Sequence, residues 1–426
     1  VTITNADDIA QTTASIQVES ADGKTESIDG CTGFSYSNDM LAIGDPFSVS
    51  VPNVRGRWVG KLLKGQKIIF KLSNPAVNGG APTLKHTGRI VERQAISDQG
   101  GTRVHLNCAD LGWHLSNCDA ELKYQLLSGT FQDLFDALLD PAWGIVGARD
   151  AAGKWAATID TQNDANVQAR LGKQVILNKS QLVASGAAGL LTPLYVLQTE
   201  PGDKIADLLT LYSRRFNLLL NVGVNGQITL WNPDYDRKPL YALRYHEDDR
   251  RRQNNILGIE YRDNLAGTYT EVTCVGEIVG LELAQITVDD YNSGRVFGTA
   301  TNPGVLPYTH RKTFCDGEMF EQSMAVAQAR WHYKREAFNA FSISVRVKGH
   351  HQNGTWWESD TMVTLEDSVN GYHGTFYIQA VKYERTSAGD VTDLTLRLPG
   401  LLSASYGVLK GALGAIFPKG LETMIR

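Results

Sequence analysis

Residues 201–233 read PGDKIADLLTLYSRRFNLLLNVGVNGQITLWNP. Asp203 stands just before the first apolar-periodic residue and is placed as a helix N-cap, where its carboxylate can accept from free first-turn amides. Ile205, Leu208, Leu209, Tyr212 and Phe216 then recur at helical spacing on one face, and Asn217 ends the period. Leu218–Val222 reads as a short apolar strand. Asn225-Gly226 is a hairpin turn signal, because glycine takes positive φ without steric cost. Gln227–Trp231 returns with Ile228 and Leu230 alternating against polar neighbours. Helix and hairpin this close must pack on each other. The stretch carries no catalytic chemistry, so it reads as scaffold.

The chain around it has 426 residues, too long for one ordinary domain and consistent with roughly two to four units. Hydrophobic residues at 42% and charged residues at 20% suit a core-forming globular protein. A net charge of −5, with both signs spread along the chain, gives no overall case for binding nucleic acid or a membrane surface. Cys31, Cys108, Cys118, Cys274 and Cys315 are few, odd in number and without a CxxC pair, which predicts reduced thiols rather than a disulfide scaffold. There is no signal peptide in this numbering and no apolar run of about 18 residues, so synthesis in a cytoplasm without stable membrane insertion is expected.

The predicted fold class is α+β, mostly antiparallel β. Residues 1–118 form the first β unit. Phe47, Val49 and Val51 alternate with Ser48 and Ser50; Ile68, Phe70 and Leu72 alternate likewise. Leu84–Ile96 is a long extended run, Gln99-Gly100-Gly101 a turn, and Val104, Leu106 and Cys108 a further alternating strand. Period-two alternation gives each strand one buried and one solvated face. Residues 119–250 form a middle α+β region with a helix through Phe131, Leu134, Phe135 and Leu138, a polar excursion at 147–188, and the helix-hairpin above. His246–Arg252 (HEDDRRR) is a charge run whose signs neutralise locally, so a solvated linker is preferred over an anion site.

Residues 251–400 form a second β unit with strands at Ile256–Tyr261 and Tyr269–Val275, and Val279–Phe314 is read as an irregular insertion (279–314). Glu318–Phe338 is helical, with Phe320, Met324, Ala327, Trp331 and Phe338 on one stripe that Lys334 interrupts. Phe341, Ile343, Val345 and Val347 alternate strictly with Ser342, Ser344, Arg346 and Lys348. Residues 401–426 are a Gly-rich apolar tail, expected to dock on a partner. Two blocks echo each other: KIIFKL, a loop, then TGRIVERQAISDQGGTRVHLNC; and MVTLED, a loop, then HGTFYIQAVKYERTSAGDVTDLTLRL. On pattern alone, internal duplication and a chance likeness between β-meanders are both open.

No catalytic, cofactor-binding or metal residue is assigned. Nine histidines are scattered; none has partners at zinc-ligand spacing, and HExxH, GxSxG, a Walker A loop and GxGxxG are absent. His350-His351 is placed in a hairpin turn as a polar loop, since adjacent strand residues point opposite ways and rarely share one ion. Asp248-Asp249 and Asp289-Asp290 are carboxylate pairs of the kind any chain with 46 acidic residues contains. Trp356-Trp357 and Tyr372 suit either a carbohydrate platform or hairpin packing, and packing is preferred.

Four ordered stretches carry a family resemblance. They are GDKIADLLTLYSRRFNLLLNVGVNGQITLW, NNILGIEYRDNLAGTYTEVTCVGE, ARWHYKREAFNAFSISVRVKGH and WWESDTMVTLEDSVNGYHGTFYIQAVKYERTSAGDVTDLTLRLP, with GTFQDLFDALLDPAWGI ahead of them. Across roughly 120–400 the chain resembles the baseplate hub proteins of contractile phage tails of the Mu-like kind, and so the family that includes late-control D proteins and type VI spike hubs. The resemblance implies two tube-protein-like β-barrel domains in one chain and a homotrimer whose six units form a ring. Its partners would be the tail tube protein, the central spike protein and surrounding baseplate proteins, within the virion tail baseplate. Phage DNA would pass through the lumen, and Ser342, Ser344, Arg346 and Lys348 are candidates for its polar wall, a solvated surface outside the ring being equally consistent. The segments 147–188 and 279–314 are longer than a minimal hub needs and would face those surrounding proteins. A hub of a type VI or other contractile injection system, and a glycan-binding or cell-wall-degrading tail protein, are the alternative readings.

Overall fold

The computed structural model describes residues 12–120, 125–129, 194–276, 296–316 and 322–402, apart from short gaps within them. The helix expected near Phe131, the excursion at 147–188, the turn at Asn225-Gly226, the charges from Asp248 to Arg252, the pair Asp289-Asp290 and residues 403–426 of the tail lie outside the described residues.

The first half contains β1 (Thr13–Glu19), β2 (Thr25–Ile28), β3 (Gly33–Asp39), β4 (Pro46–Pro52), β5 (Lys67–Ser73), β6 (Thr83–Asp98) and β7 (Gly101–Asp110), then the short helix α1 (Gly112–Asn117). β8 (Gln125–Gly129) pairs with β9 (Leu194–Gln198). Helix α2 (Ile205–Arg215), β10 (Leu219–Val222), β11 (Ile228–Trp231) and β12 (Tyr241–Tyr245) follow. The second half holds β13 (Ile256–Asp263), β14 (Glu271–Gly276), β15 (Phe297–Thr301), β16 (Arg311–Asp316), helix α3 (Gln322–Ala340), β17 (Phe341–Lys348), β18 (His351–Gln352), β19 (Thr355–Trp356), β20 (Thr361–Asp367), β21 (Tyr372–Thr386) and β22 (Gly389–Arg397).

The architecture is α+β and mostly antiparallel. Thirteen strands share one sheet in the order β13-β17-β22-β21-β3-β4-β7-β6-β5-β1-β2, with β20 beside β21 and β12 beside β20. Only β12–β20 and β14–β16 pair in parallel among the described strands. One face of the sheet buries a continuous core that includes Phe34, Tyr36, Phe47 and Phe70 from the first half and Phe376, Tyr383, Leu394 and Leu396 from the second. Phe47 and Phe70 meet with ring centroids 4.4 Å apart, at the short limit of aromatic packing.

The helix and the two paired strands of the hairpin form where their pattern predicts. Ile205, Leu208 and Leu209 are buried, and the helix starts two residues after Asp203, whose carbonyl accepts from the Ala120 amide at 2.8 Å. Leu220 and Val222 of β10 are buried, and Asn221 donates to the Asp39 carbonyl at the end of β3 at 3.2 Å. The unit closes over a cleft of about 470 Å³ bordered by Met40, Ile43, Ser116, Thr210, Leu220 and Trp331. It therefore braces the sheet from the side of the β3–β4 turn, α1 and α3.

The expectation of irregular structure across 279–314 needs correction in its described part. β15 and β16 flank β14 to make a separate three-stranded sheet, and α3 lies on it. The contact is made by small residues: Cys274, Ala300, Ala325 and Ala329 are all buried. Short side chains let helix and sheet approach closely, and they are also why the segment lacks a strong hydrophobic signature. On α3, Trp331 and Phe338 are buried as expected, and Lys334 is buried with them.

Candidate functional site

The surface that the fold organises is the polar face of the large sheet. Its construction is clearest from register. In the first half, Tyr36 of β3 lies opposite Phe47 of β4, Phe47 opposite Cys108 of β7, and Cys108 opposite Ile90 of β6. In the second half, Tyr261 of β13 lies opposite Ile343 of β17, Ile343 opposite Leu396 of β22, and Leu396 opposite Ile378 of β21. A bulge follows in the same place in both, between Ile90 and Glu92 and between Ile378 and Ala380. The outer strand is then β5 in one and β20 in the other. Two arrays of five strands, β3-β4-β7-β6-β5 and β13-β17-β22-β21-β20, thus have the same order, the same pairing sense and the same bulge.

The match extends to sequence once register is known. Gly33-Phe34-Ser35-Tyr36-Ser37-Asn38-Asp39 aligns with Gly258-Ile259-Glu260-Tyr261-Arg262-Asp263-Asn264, and Phe47-Ser48-Val49-Ser50-Val51 with Ile343-Ser344-Val345-Arg346-Val347. The echo between the KIIFKL and MVTLED blocks is the other half of this match. Linear reading found the meanders and also β4, β13 and β17, but not β3, and did not join these strands to the echo, because β3 and β13 precede the echoed blocks by different distances.

The arrays are fused side by side. β21 pairs antiparallel with β3 from Ala380 opposite Asp39 to Arg385 opposite Phe34. The seam is held by side chains on the buried face. Arg385 makes a bidentate ion pair with Asp390, both contacts at 2.7 Å, and its guanidinium lies 5.3 Å from the Phe34 ring centroid. Tyr36 and Tyr383 stack at 5.9 Å. Lys85 is buried against the Trp356 and Tyr383 rings, with Glu358 at 3.4 Å.

Fusion makes one polar face from both arrays. A single cross-strand row runs Glu384, Ser35, Ser48, Asn107, Glu92 over β21, β3, β4, β7 and β6. Arg346 of β17 forms a bidentate pair with Asp393 of β22, at 2.6 and 2.7 Å, and Lys382 pairs with Glu384 at 2.5 Å. Ser344, Arg346 and Lys348 are exposed and Ser342 half-exposed, all on this face. The face thus carries small serines and charges paired with their neighbours.

The histidines do other work. His350 is fully buried, accepts or donates at Nδ1 to the Thr392 hydroxyl at 3.0 Å, and burial pushes its pKa down to about 4. His86 sits among Tyr36 and Phe47 with its pKa pushed down to about 3 by burial. Both are neutral core residues near pH 7. The hairpin turn expected at His350-His351 is formed instead by Asn353 and Gly354, with φ of 52° and 75°, the paired positive values of a tight hairpin. Trp356 and Trp357 are buried, and their carbonyls accept from the Tyr241 and Tyr383 hydroxyls. They are packing residues and present no platform. Tyr372 stacks on Tyr261 at 4.0 Å. No group of three or more His, Cys, Asp or Glu side chains is placed to hold a metal among the described residues, and no described helix is long and apolar enough to cross a membrane.

One titrating pair lies where the first array meets α1. Asp45 and Asp110 are both buried; the Asp45 amide donates to Asp110 Oδ2 at 2.9 Å, and Asn38 donates to Asp45 Oδ2 at 2.9 Å. Burial first, and then Asp110 nearby, push the Asp45 carboxyl well up, and burial pushes Asp110 up to about 6. A raised folded pKa means the folded state holds the proton more tightly, so this stabilisation is complete below the ordinary value of 3.8 and is lost as pH rises through about 6. The urea midpoint of the wild type should therefore fall relative to that of Asp110→Asn between pH 4.5 and pH 7. Parallel pH profiles for the two proteins would refute this.

Among solved structures the fold recurs in tail proteins. A tail protein from Neisseria meningitidis MC58 superposes with a TM-score of 0.66 at 17% identity, covering 92% of this chain and 98% of that one. The 43 kDa tail protein of prophage MuSo2 from Shewanella oneidensis gives 0.62 at 15% identity, covering 91% and 99%. A chain of the Francisella PdpA–VgrG complex gives 0.52 at 10% identity, covering 93% of this chain and 53% of that one. No family model and no curated protein matches the sequence. The chain thus shares its fold with phage tail proteins and with part of a VgrG complex, as the hub resemblance implied.

Proposed function

We propose that the chain is the structural hub of a contractile phage tail baseplate, with no catalytic residue and no cofactor. The observation that carries this reading is the fusion of two matched five-strand arrays into one sheet with one polar face. Each array corresponds to one tube-like β-barrel domain, in residues 1–118 and 251–400, braced by the middle region 119–250. Three copies then supply six equivalent units. Such a trimer adapts a sixfold tail tube on one side to a threefold central spike on the other, by closed symmetry. The polar face, with Ser342, Ser344, Arg346 and Lys348 on it, lines the lumen. Paired charges there would let DNA pass without the strong phosphate attraction that a basic wall would exert. The segments 147–188 and 279–314 face surrounding baseplate proteins, and the tail 401–426 docks on a partner.

The likeness to a VgrG complex favours a second reading within the same class: a hub of a type VI or other contractile injection system, through which no genome passes. The glycan-platform alternative has lost its tryptophans to the core. The test is solution mass with imaging. The purified chain, alone or with its spike protein, should give a mass of three copies and ring-shaped particles. A stable monomer at micromolar concentration, unchanged by added spike, would overturn the reading.

A further inference from the structure

The internal match also specifies how neighbouring copies join, given the ring reading above. Within one chain, β21 residues 380–385 pair with β3. The matching segment of the first array is residues 92–97 of β6, since Ile90 corresponds to Ile378 and the bulge follows both. On that side β5 pairs only from Thr83 to Arg89, so residues 92–97 have β7 alone as a strand neighbour among the described residues. The counterpart of β3 is β13, and its one strand neighbour among the described residues is β17. Each chain therefore ends its two arrays in two different open strand edges.

Burial differs at the same positions, where Arg93 also donates from Nη1 to the Leu62 carbonyl at 3.0 Å. Phe34, Tyr36 and Asn38 are buried beneath the seam with β21, while their counterparts Ile259 and Tyr261 are half-exposed and Asp263 is exposed. In β21, Val381 and Tyr383 are buried; their counterparts Arg93 and Ala95 are half-exposed and exposed. Open edges of this length invite pairing, and neither segment carries a proline to block it.

We infer that residues 92–97 of one copy pair antiparallel with β13 of the next, in the register of the β21–β3 seam. Arg93 then lies opposite Asp263 of the next copy, Gln94 opposite Arg262, and Ala95 opposite Tyr261. Opposite charges directly across an antiparallel pair attract. Ala95 also suits its place: Tyr261 is already stacked on Tyr372 at 4.0 Å, so a second large ring, such as Tyr383 provides against Tyr36, is not needed. Because the two edges differ, the contact is head-to-tail and repeats around a ring instead of closing as a twofold dimer.

The test uses the full chain with Cys315, the exposed native thiol, changed to serine. Arg93→Cys with Asp263→Cys should form intermolecular disulfides under mild oxidation, the covalent series ending at three copies on a non-reducing gel. Arg93→Cys with Glu260→Cys, which places the second thiol on the opposite face, should give none. Separately, Asp263→Arg should weaken assembly at least tenfold, and Arg93→Asp with Asp263→Arg should restore it. A wild-type ring that forms while the first pair stays uncrosslinked and Asp263→Arg assembles normally would overturn this pairing alone. A wild type that stays monomeric would overturn the ring and the pairing with it.

Discussion

Asp360→Ala is expected to destabilise the chain by about 3–5 kcal/mol, the range for breaking a buried ion pair from one side. Asp360 is 3% exposed and sits in the turn that leads into β20. Its Oδ2 lies 3.2 Å from Arg237 Nη1, its carbonyl accepts from the same nitrogen at 3.0 Å, and its Oδ1 accepts from the Tyr377 hydroxyl at 3.0 Å. Truncation takes the carboxylate from a half-buried guanidinium, which keeps only the backbone carbonyl of residue 360 there, and removes the acceptor of the buried Tyr377 hydroxyl. It also places alanine at a φ of 57°, a conformation that aspartate and asparagine tolerate better. Asp360→Asn keeps the shape, one acceptor and the tolerance for that φ, and loses the charge and the second acceptor, so it should cost distinctly less. Urea unfolding of the three proteins checks the order. An alanine variant within about 0.5 kcal/mol of wild type would mean that Arg237 finds solvent easily. The effect bears on the hub reading because Arg237 belongs to the segment joining the helix-hairpin to β12. The pair ties the middle region to the second array, so the loosened variant should also assemble less well.

How far the fold was legible from sequence depends on what each contact is made of. Strands with one aliphatic and one polar face declare themselves by alternation, as Phe47-Ser48-Val49-Ser50-Val51 and Phe341–Lys348 do. The helix of residues 205–215 was equally plain, because Ile205, Leu208 and Leu209 are large and regularly spaced. Residues 297–301 escaped detection for the opposite reason. Phe-Gly-Thr-Ala-Thr alternates too, but its inward residues, Gly298 and Ala300, are too small to register as hydrophobic. The α3 stripe was legible at Trp331 and Phe338, whereas Ala325 and Ala329, which lie against the small sheet, carry no periodic signal of their own. The seam between β21 and β3 joins residues more than 340 positions apart, such as Ala380 and Asp39, and nothing local encodes such a pairing. The Gly-x-x-Tyr correspondence between Gly33–Tyr36 and Gly258–Tyr261 was present in the sequence, but four residues do not stand out until register aligns them. The polar face of β17 was legible at Ser342, Ser344, Arg346 and Lys348. Its continuation through Ser35, Ser48 and Asn107 depends on that same seam.

Gly298→Ala should detach α3 from the small sheet, at a cost of about 3 kcal/mol or more, at the upper end of overpacking effects. An added Cβ would lie 1.9 Å from the Ala325 carbonyl carbon, 2.0 Å from the Val326 nitrogen and 2.2 Å from the Ala325 carbonyl oxygen. All three are backbone atoms in the interior of a helix, so no rotamer change can make room. The helix as a whole must withdraw by more than an ångström, and the contacts among Cys274, Ala300, Ala325 and Ala329 open together. The same substitution at Gly60, where a methyl meets nothing within 4 Å, should stay within about 0.5 kcal/mol of wild type. Amide hydrogen exchange is the suitable measurement, because a chain of several units need not unfold in one step. Protection should fall along α3 and in β14–β16, and persist in β4, β7 and β22 of the large sheet. Helix α3 runs directly into β17 and contributes Phe338 to the main core, so exchange at Phe341 and Ser342 should rise before that at Val345. Unchanged protection of α3 would mean that helix and sheet are not held as closely as Gly298 implies.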